Sequence, residues 1–179
     1  MDADEREFVL EQLAASEGRL LQLVDGLTPE QWSFREAPER WSIAENVEHL
    51  AVFEDFITRM IEKKIEGETE PEKSAQTEEK DLLVRGLASS RHNKLSAREA
   101  LRPVGRWAHR VDAVAELRSA RARTVAFVAA TQANLREHFF RHIAFGDLDC
   151  YQWLVLIGQH TYRHALQIDE IKAQAAYPR

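Results

Sequence analysis

The sequence predicts an all-α chain: a four-helix bundle with one long crossover between its second and third helices. Three observations predict it. Glycine and proline are scarce, at 7 and 5 of 179 residues, and they cluster between periodic stretches. Apolar residues recur at steps of three and four in four long segments. One connection, of roughly 45 residues, is too long for a tight antiparallel turn and should run the length of the bundle. The composition, 44% hydrophobic and 30% charged, is that of an ordinary globular protein, and the length suits one domain over residues 1–179.

The first helix is predicted from about Asp4 to Val24, with Val9, Leu13, Leu20, Val24 and Leu27 on one stripe. Asp25-Gly26 ends it. Thr28-Pro29-Glu30-Gln31 predicts a short turn, with Thr28 as N-cap and Pro29 at the first helical position. The second long helix begins at a capping box, Ser42 with Glu45. Its stripe is Ile43, Val47, Leu50, Ile57 and Ile61, widened by Phe53 and Met60, and it fades near Lys64. Residues 66 to about 80, rich in Glu, Lys, Thr and Ser, predict a solvated linker. Asp81 to Ala88 suits a short helix. The stretch through Pro103 and Gly105 to Trp107 should be irregular.

The third long helix is placed from Asp112, as N-cap, along Val114, Leu117, Thr124, Val128 and Leu135, with Arg121 in the same stripe. The fourth follows Asp149, its expected N-cap, and runs to about Gln174. No segment predicts a strand, and no internal repeat is visible.

A net charge of -6 disfavours nonspecific nucleic-acid binding. No apolar run approaches the ~20 residues needed to span a bilayer. The acidic start, Met1-Asp2-Ala3-Asp4-Glu5, lacks the features of a signal peptide. Cys150 is the single cysteine, so no internal disulfide forms. These features predict a soluble cytoplasmic protein.

The fourth helix carries the strongest functional signal. Trp153, Ile157, His160, His164, Ile168 and Ile171 share one face. Two imidazoles thus stand where a bundle normally places leucine, and burying them without partners costs a few kcal/mol. A divalent metal ion would compensate, because histidines at i and i+4 can aim ring nitrogens at one point. A third ligand is then needed. His49, at the edge of the second helix's stripe beside Phe53 and Phe56, is the best candidate. Against this stands the bland reading that two histidines four apart arise by chance and simply pack.

The other histidines carry less. His92 and His109 fall in the crossover and should be exposed or loop-packed. His138 and His142, also four apart, lie near the Gly146 turn and suit a capping or surface role. Glu45 lies one turn before His49 and either orients its ring or only completes the capping box. Gln167 lies beside the histidine seam. Arg121 either binds a carboxylate of a cosubstrate or snorkels to solvent. Glu17 breaks the first stripe and could face the same cavity. Cys150 suits a small packing residue, and the tryptophans suit core or rim anchors.

These residues resemble a known family. Leu135-Arg136-Glu137-His138, His142, Phe145-Gly146, Leu148-Asp149, Tyr151-Gln152-Trp153 and His160-Thr161-Tyr162-Arg163-His164 are similar to the C-terminal signature of the DinB-like superfamily. This is the group of DNA-damage-inducible and YfiT-like proteins. Trp41-Ser42 followed by helical His49 resembles its first signature, and Pro103-Val104-Gly105-Arg106-Trp107 its crossover. One departure is Ile143, where many relatives have proline. The resemblance implies an up-down-down-up bundle, frequent homodimers, and a divalent metal, typically nickel or zinc, on His49, His160 and His164. It also implies low-molecular-weight thiols as cosubstrates. Three neutral histidines leave an open coordination position that would activate a water or a thiol. Two functions are therefore expected as alternatives: a thiol-dependent S-transferase or hydrolase, or a non-enzymatic metal-binding stress or interaction protein.

Overall fold

The computed structural model describes residues 1–87, 89–90 and 97–179. His92 lies outside the described residues. The chain is mostly helical, with four long helices: α1 (Ala3–Val24), α3 (Ile43–Ile65), α5 (Arg110–Ala130) and α6 (Cys150–Lys172). Two shorter helices are α2 (Pro29–Ser33) and α4 (Thr77–Leu87). Each long helix packs on two others: α3 on α5 and α6, and α1 on α5 and α6.

Helix starts follow local chemistry. Asp2, Thr28, Ser42 and Asp149 each accept a bond from the amide three residues on, and Glu5, Gln31, Glu45 and Gln152 each return one. The expected caps at Thr28, Ser42 and Asp149 are thus present. The cap of α5 differs. The helix starts at Arg110 with His109 as its N-cap, and Asp112 sits inside the first turn, where its charge still favours the helix N-terminus.

Further expectations need correction. The third long helix does not reach Leu135; it stops at Ala130. There Thr131 Oγ1 accepts the Ala133 amide and Asn134 Oδ1 accepts the Arg136 amide, so side chains compete with the helical ladder. The chain also contains strands. β1 (Phe139–His142) pairs antiparallel with β2 (Gly146–Asp149), from Phe139 opposite Asp149 to His142 opposite Gly146. Four residues per strand is too short to show a period, and Gly146, at φ +70°, supplies the turn conformation.

The linker is also more ordered than predicted. Glu70 pairs with Lys64 and Lys73, a 3₁₀ turn covers Pro71–Gln76, and α4 follows directly. Arg136 ties α4 down. Its guanidinium binds Glu5, Asp81 and Asp149 and lies over the Tyr151 ring.

The core has two apolar clusters with a polar layer between them. One holds Val9, Leu13, Ile57, Ile61, Val128 and Leu154; the other holds Leu20, Val47, Leu50, Leu117 and Ile168. Between them Arg121 makes a two-pronged pair with Glu54, at 2.8 and 2.9 Å, and bonds to Ser16 Oγ, Thr161 Oγ1 and the Leu13 carbonyl. The whole layer is buried. Arg121 therefore neither snorkels nor faces a ligand; its donors are committed within the core. Glu17 lies near enough for its charge to act on Glu54.

Candidate metal centre

His49 comes from the second turn of α3, and His160 and His164 from successive turns of α6. The three rings converge. Centroids lie 5.1 Å apart for His49 and His160, 4.9 Å for His49 and His164, and 4.6 Å for the α6 pair. One nitrogen from each lies within 4.8 Å of the others. His49 and His164 are buried and His160 is half-buried.

Hydrogen bonds select the ring tautomers. The Leu101 carbonyl can only accept, and it lies 2.7 Å from His49 Nδ1. His49 therefore carries its proton on Nδ1 and turns a lone pair on Nε2 towards the cluster. His49 Nε2 lies 2.9 Å from His160 Nε2. For His164 the chain of reasoning is one bond longer. The Ser42 carbonyl accepts from Asn46 Nδ2 at 2.7 Å, which leaves Asn46 Oδ1 as the acceptor. That oxygen lies 2.7 Å from His164 Nδ1, so Nδ1 donates and the His164 Nε2 lone pair is available. Metal-binding imidazoles are usually oriented in this way.

The electrostatics agree. Burial holds the His49 imidazole below its ordinary pKa, and only partly does the Leu101 bond oppose it. Burial, then the charges of His49 and Arg163, hold His160 well below. Neutral imidazoles are the ligand form. Two nitrogens bound to one tetrahedral ion at ordinary Zn–N lengths stand about 3.3 Å apart. Separations of 2.9 Å for His49–His160 and of at most 4.8 Å for the others bracket that value. The donor set thus fits a divalent ion.

Aromatic rings surround the cluster. Trp41 lies 4.9 Å from His49 and stacks on His164 at 6.0 Å and 15°. Phe53 lies 4.1 Å from His160. All three histidines open on a cavity of about 1060 Å³. Its apolar lining includes Phe53, Ile57, Phe140, Phe145, Trp153 and Leu156.

Of Glu45, Arg121 and Gln167, the first two are absent from the described cavity lining and Gln167 is part of it. Glu45 is used by the Ser42 amide and by Arg35, at 2.8 and 2.7 Å, and so serves the helix cap. Arg121 belongs to the core layer. His109 is exposed, as expected. His138 and His142 do not cap a helix. His138 is buried beside β1, and His142 lines the cavity, stacked on Phe145 at 4.8 Å.

Sequence reasoning passed over Asn46, next to the residue it chose. A buried asparagine inside an apolar helical stripe is a poor helix former, and that was the available signal. The Leu101 carbonyl left no signal at all. It is positioned by Glu48, whose carboxylate accepts the amides of Val104, Gly105 and Arg106 and pairs with the Arg106 guanidinium.

The DinB superfamily model matches residues 12–168, which contain the whole cluster. The chain belongs to the DinB superfamily. An uncharacterized protein of Bacillus subtilis (strain 168), YuaE, is 30% identical over 143 residues, covering 80% of this chain and 78% of YuaE. No solved structure was found to match the chain. Membership in the superfamily and three converging histidines together fit a metal-binding protein. Among the described residues no helix is long and apolar enough to cross a membrane.

Proposed function

We propose that this DinB-superfamily chain is a divalent-metal-dependent enzyme acting on a small molecule, by thiol-dependent S-transfer or by hydrolysis. The observation that carries the proposal is the opening of three converging imidazoles, two of them oriented by hydrogen bonds, onto a large cavity. A site built only to brace the fold would be closed by a fourth protein ligand. Nickel or zinc suits an all-imidazole donor set. When bound, the ion supplies Lewis acidity that stabilises a thiolate or hydroxide nucleophile near neutral pH.

The chain's own residues do the rest. His49, His160 and His164 would hold the ion, while Leu101 and Asn46 fix the orientation of two of them. Trp41 and Phe53 keep water from the flanks of the rings. Gln167 is placed to contact a bound molecule. Arg121 and Glu45 take no part.

We also propose the up-down-down-up arrangement for the four long helices. The clusters support it: one holds the early residues of α1 and α6 with the late residues of α3 and α5, and the other holds the reverse. A single domain over 1–179, a homodimer and a cytoplasmic location complete the reading, on the family resemblance and on composition.

The test is turnover. Purified chain loaded with nickel or zinc should couple a low-molecular-weight thiol to an electrophile such as monochlorobimane, or hydrolyse an activated ester. The rate should vanish on chelation and return with the metal. Absence of both activities in metal-loaded protein would overturn the enzymatic reading.

A further inference from the structure

The cavity has a charge that the chain does not. The protein carries a net charge of -6. Yet the described cavity lining includes Arg40, Arg98, Arg102, Arg141 and Arg163, against one acid, Glu39. Arg40 is paired with Glu36 and Glu170. No described carboxylate lies within ion-pairing distance of Arg98 or Arg141. Both are exposed, and Arg98 lies close enough for its charge to act on His142.

His142 adds a directed donor. The Ala144 and Phe145 amides donate to its Nδ1, at 3.1 and 3.2 Å. Nδ1 is therefore the unprotonated nitrogen, and Nε2–H is what the ring can offer the cavity. Beside it Phe140 and Trp153 form an aromatic wall of the cavity. Phe140 stacks on Trp153 at 4.4 Å and 4°, and His142 lies 5.2 Å from Trp153.

We propose that this cavity binds an organic carboxylate with a flat apolar body, the body lying along the Phe140–Trp153 face and the carboxylate held by Arg98, Arg141 and His142 Nε2–H. The inference rests on the reading of this cavity as a substrate site. It is independent of the ion, because the recognising groups belong to the β1–β2 hairpin and the crossover. Guanidinium pairs match a carboxylate in two-pronged geometry, and the aromatic wall supplies the apolar contact.

The experiment uses full-length, metal-stripped protein, so that no bound cation attracts the probe. Binding of 2-naphthoate is compared with neutral 2-naphthamide by calorimetry, and 2-naphthyl phosphate tests whether any anion suffices. The carboxylate should bind at least ~10-fold tighter than the amide, a difference of about 1.4 kcal/mol. That preference should shrink in high salt and largely disappear in the Arg98→Gln/Arg141→Gln double variant. His142→Phe, which keeps a ring on Phe145, should weaken the carboxylate several-fold and leave the amide unchanged. Both arginines are surface residues, and an unchanged circular-dichroism melt shows that the variants fold. Equal affinity for acid and amide, or a preference that survives the double variant, overturns the inference. So does phosphate binding more tightly than carboxylate. Metal binding measured separately keeps the two readings apart: an ion held without anion preference sinks this inference alone, and anion preference without an ion sinks only the metal reading.

Discussion

Asn46 holds His164 in place, with its Oδ1 2.7 Å from the ring Nδ1 while its Nδ2 is spent on the Ser42 carbonyl. The capping residue of α3 thus sets the amide orientation, and the amide sets the tautomer of a histidine on α6. Replacing Asn46 with leucine keeps the volume and removes the acceptor. Metal affinity should fall by about 10- to 100-fold, the usual effect of losing such an orienting partner. Calorimetric titration of zinc into wild type and N46L measures it, and equal affinities would show that the bond does not orient the ring.

Glu48 performs the matching service for His49 at one remove. It gathers three backbone amides and Arg106, and so fixes the segment that carries the Leu101 carbonyl. Glu48→Ala should cost about 2 kcal/mol, since hydrogen bonds to a charged acceptor carry more than neutral ones. Hydrogen exchange at the amides of Val104, Gly105 and Arg106 should speed up selectively. A variant of unchanged stability with those amides still protected would contradict the assignment.

The polar layer at Arg121 makes a different prediction. Arg121→Met leaves the Glu54 carboxylate buried and unpaired, and should cost about 3–5 kcal/mol in urea unfolding. Adding Glu54→Leu should recover much of the loss, because an apolar pair of similar volume avoids desolvating two charges. Metal affinity should stay the same in the double variant. A loss below about 1 kcal/mol in the single variant would mean that the layer is hydrated.

This layer also shows where the sequence was legible and where it was not. The stripes of Val9, Leu13 and Leu20, of Ile43, Val47 and Leu50, and of Trp153, Ile157 and Ile168 are buried as their spacing predicts. The same periodicity exposed His160 and His164 as misfits, and His49 as their partner, because a helix face is set by local spacing. Arg121 was visible as a misfit too. Its partner was not, because Glu54 lies 67 residues away and only packing of α3 on α5 joins them. The hairpin escaped for want of length, and His142 escaped with it, since its place in the cavity depends on the fold of that hairpin.

Stability should also depend on pH in a directed way. Burial, then the charge of Arg98, pushes His142 down to about 4, and His49 and His160 are depressed as well. A folded-state value below the ordinary 6.5 means that the unfolded chain takes up protons first as pH falls. The metal-free protein should therefore hold this stability above about pH 6.5 and lose it as pH falls towards 4. Asp149, pushed up to about 6 by burial, works in the opposite direction over the same range. Removing one titrating group isolates the effect: the stability of His142→Phe relative to wild type should improve as pH falls from 6.5 to 4.5, by thermal melts at matched ionic strength. A difference that does not vary with pH would contradict the depressed value.

Metal stoichiometry tests the central claim most directly. Protein loaded with nickel or zinc, freed of excess and analysed by mass spectrometry of the metal, should retain one ion per chain in wild type. Retention should be lost in each of His49→Ala, His160→Ala and His164→Ala, with helical content unchanged by circular dichroism. Full occupancy in any of these three variants, or a wild-type chain that retains no ion, would contradict the account.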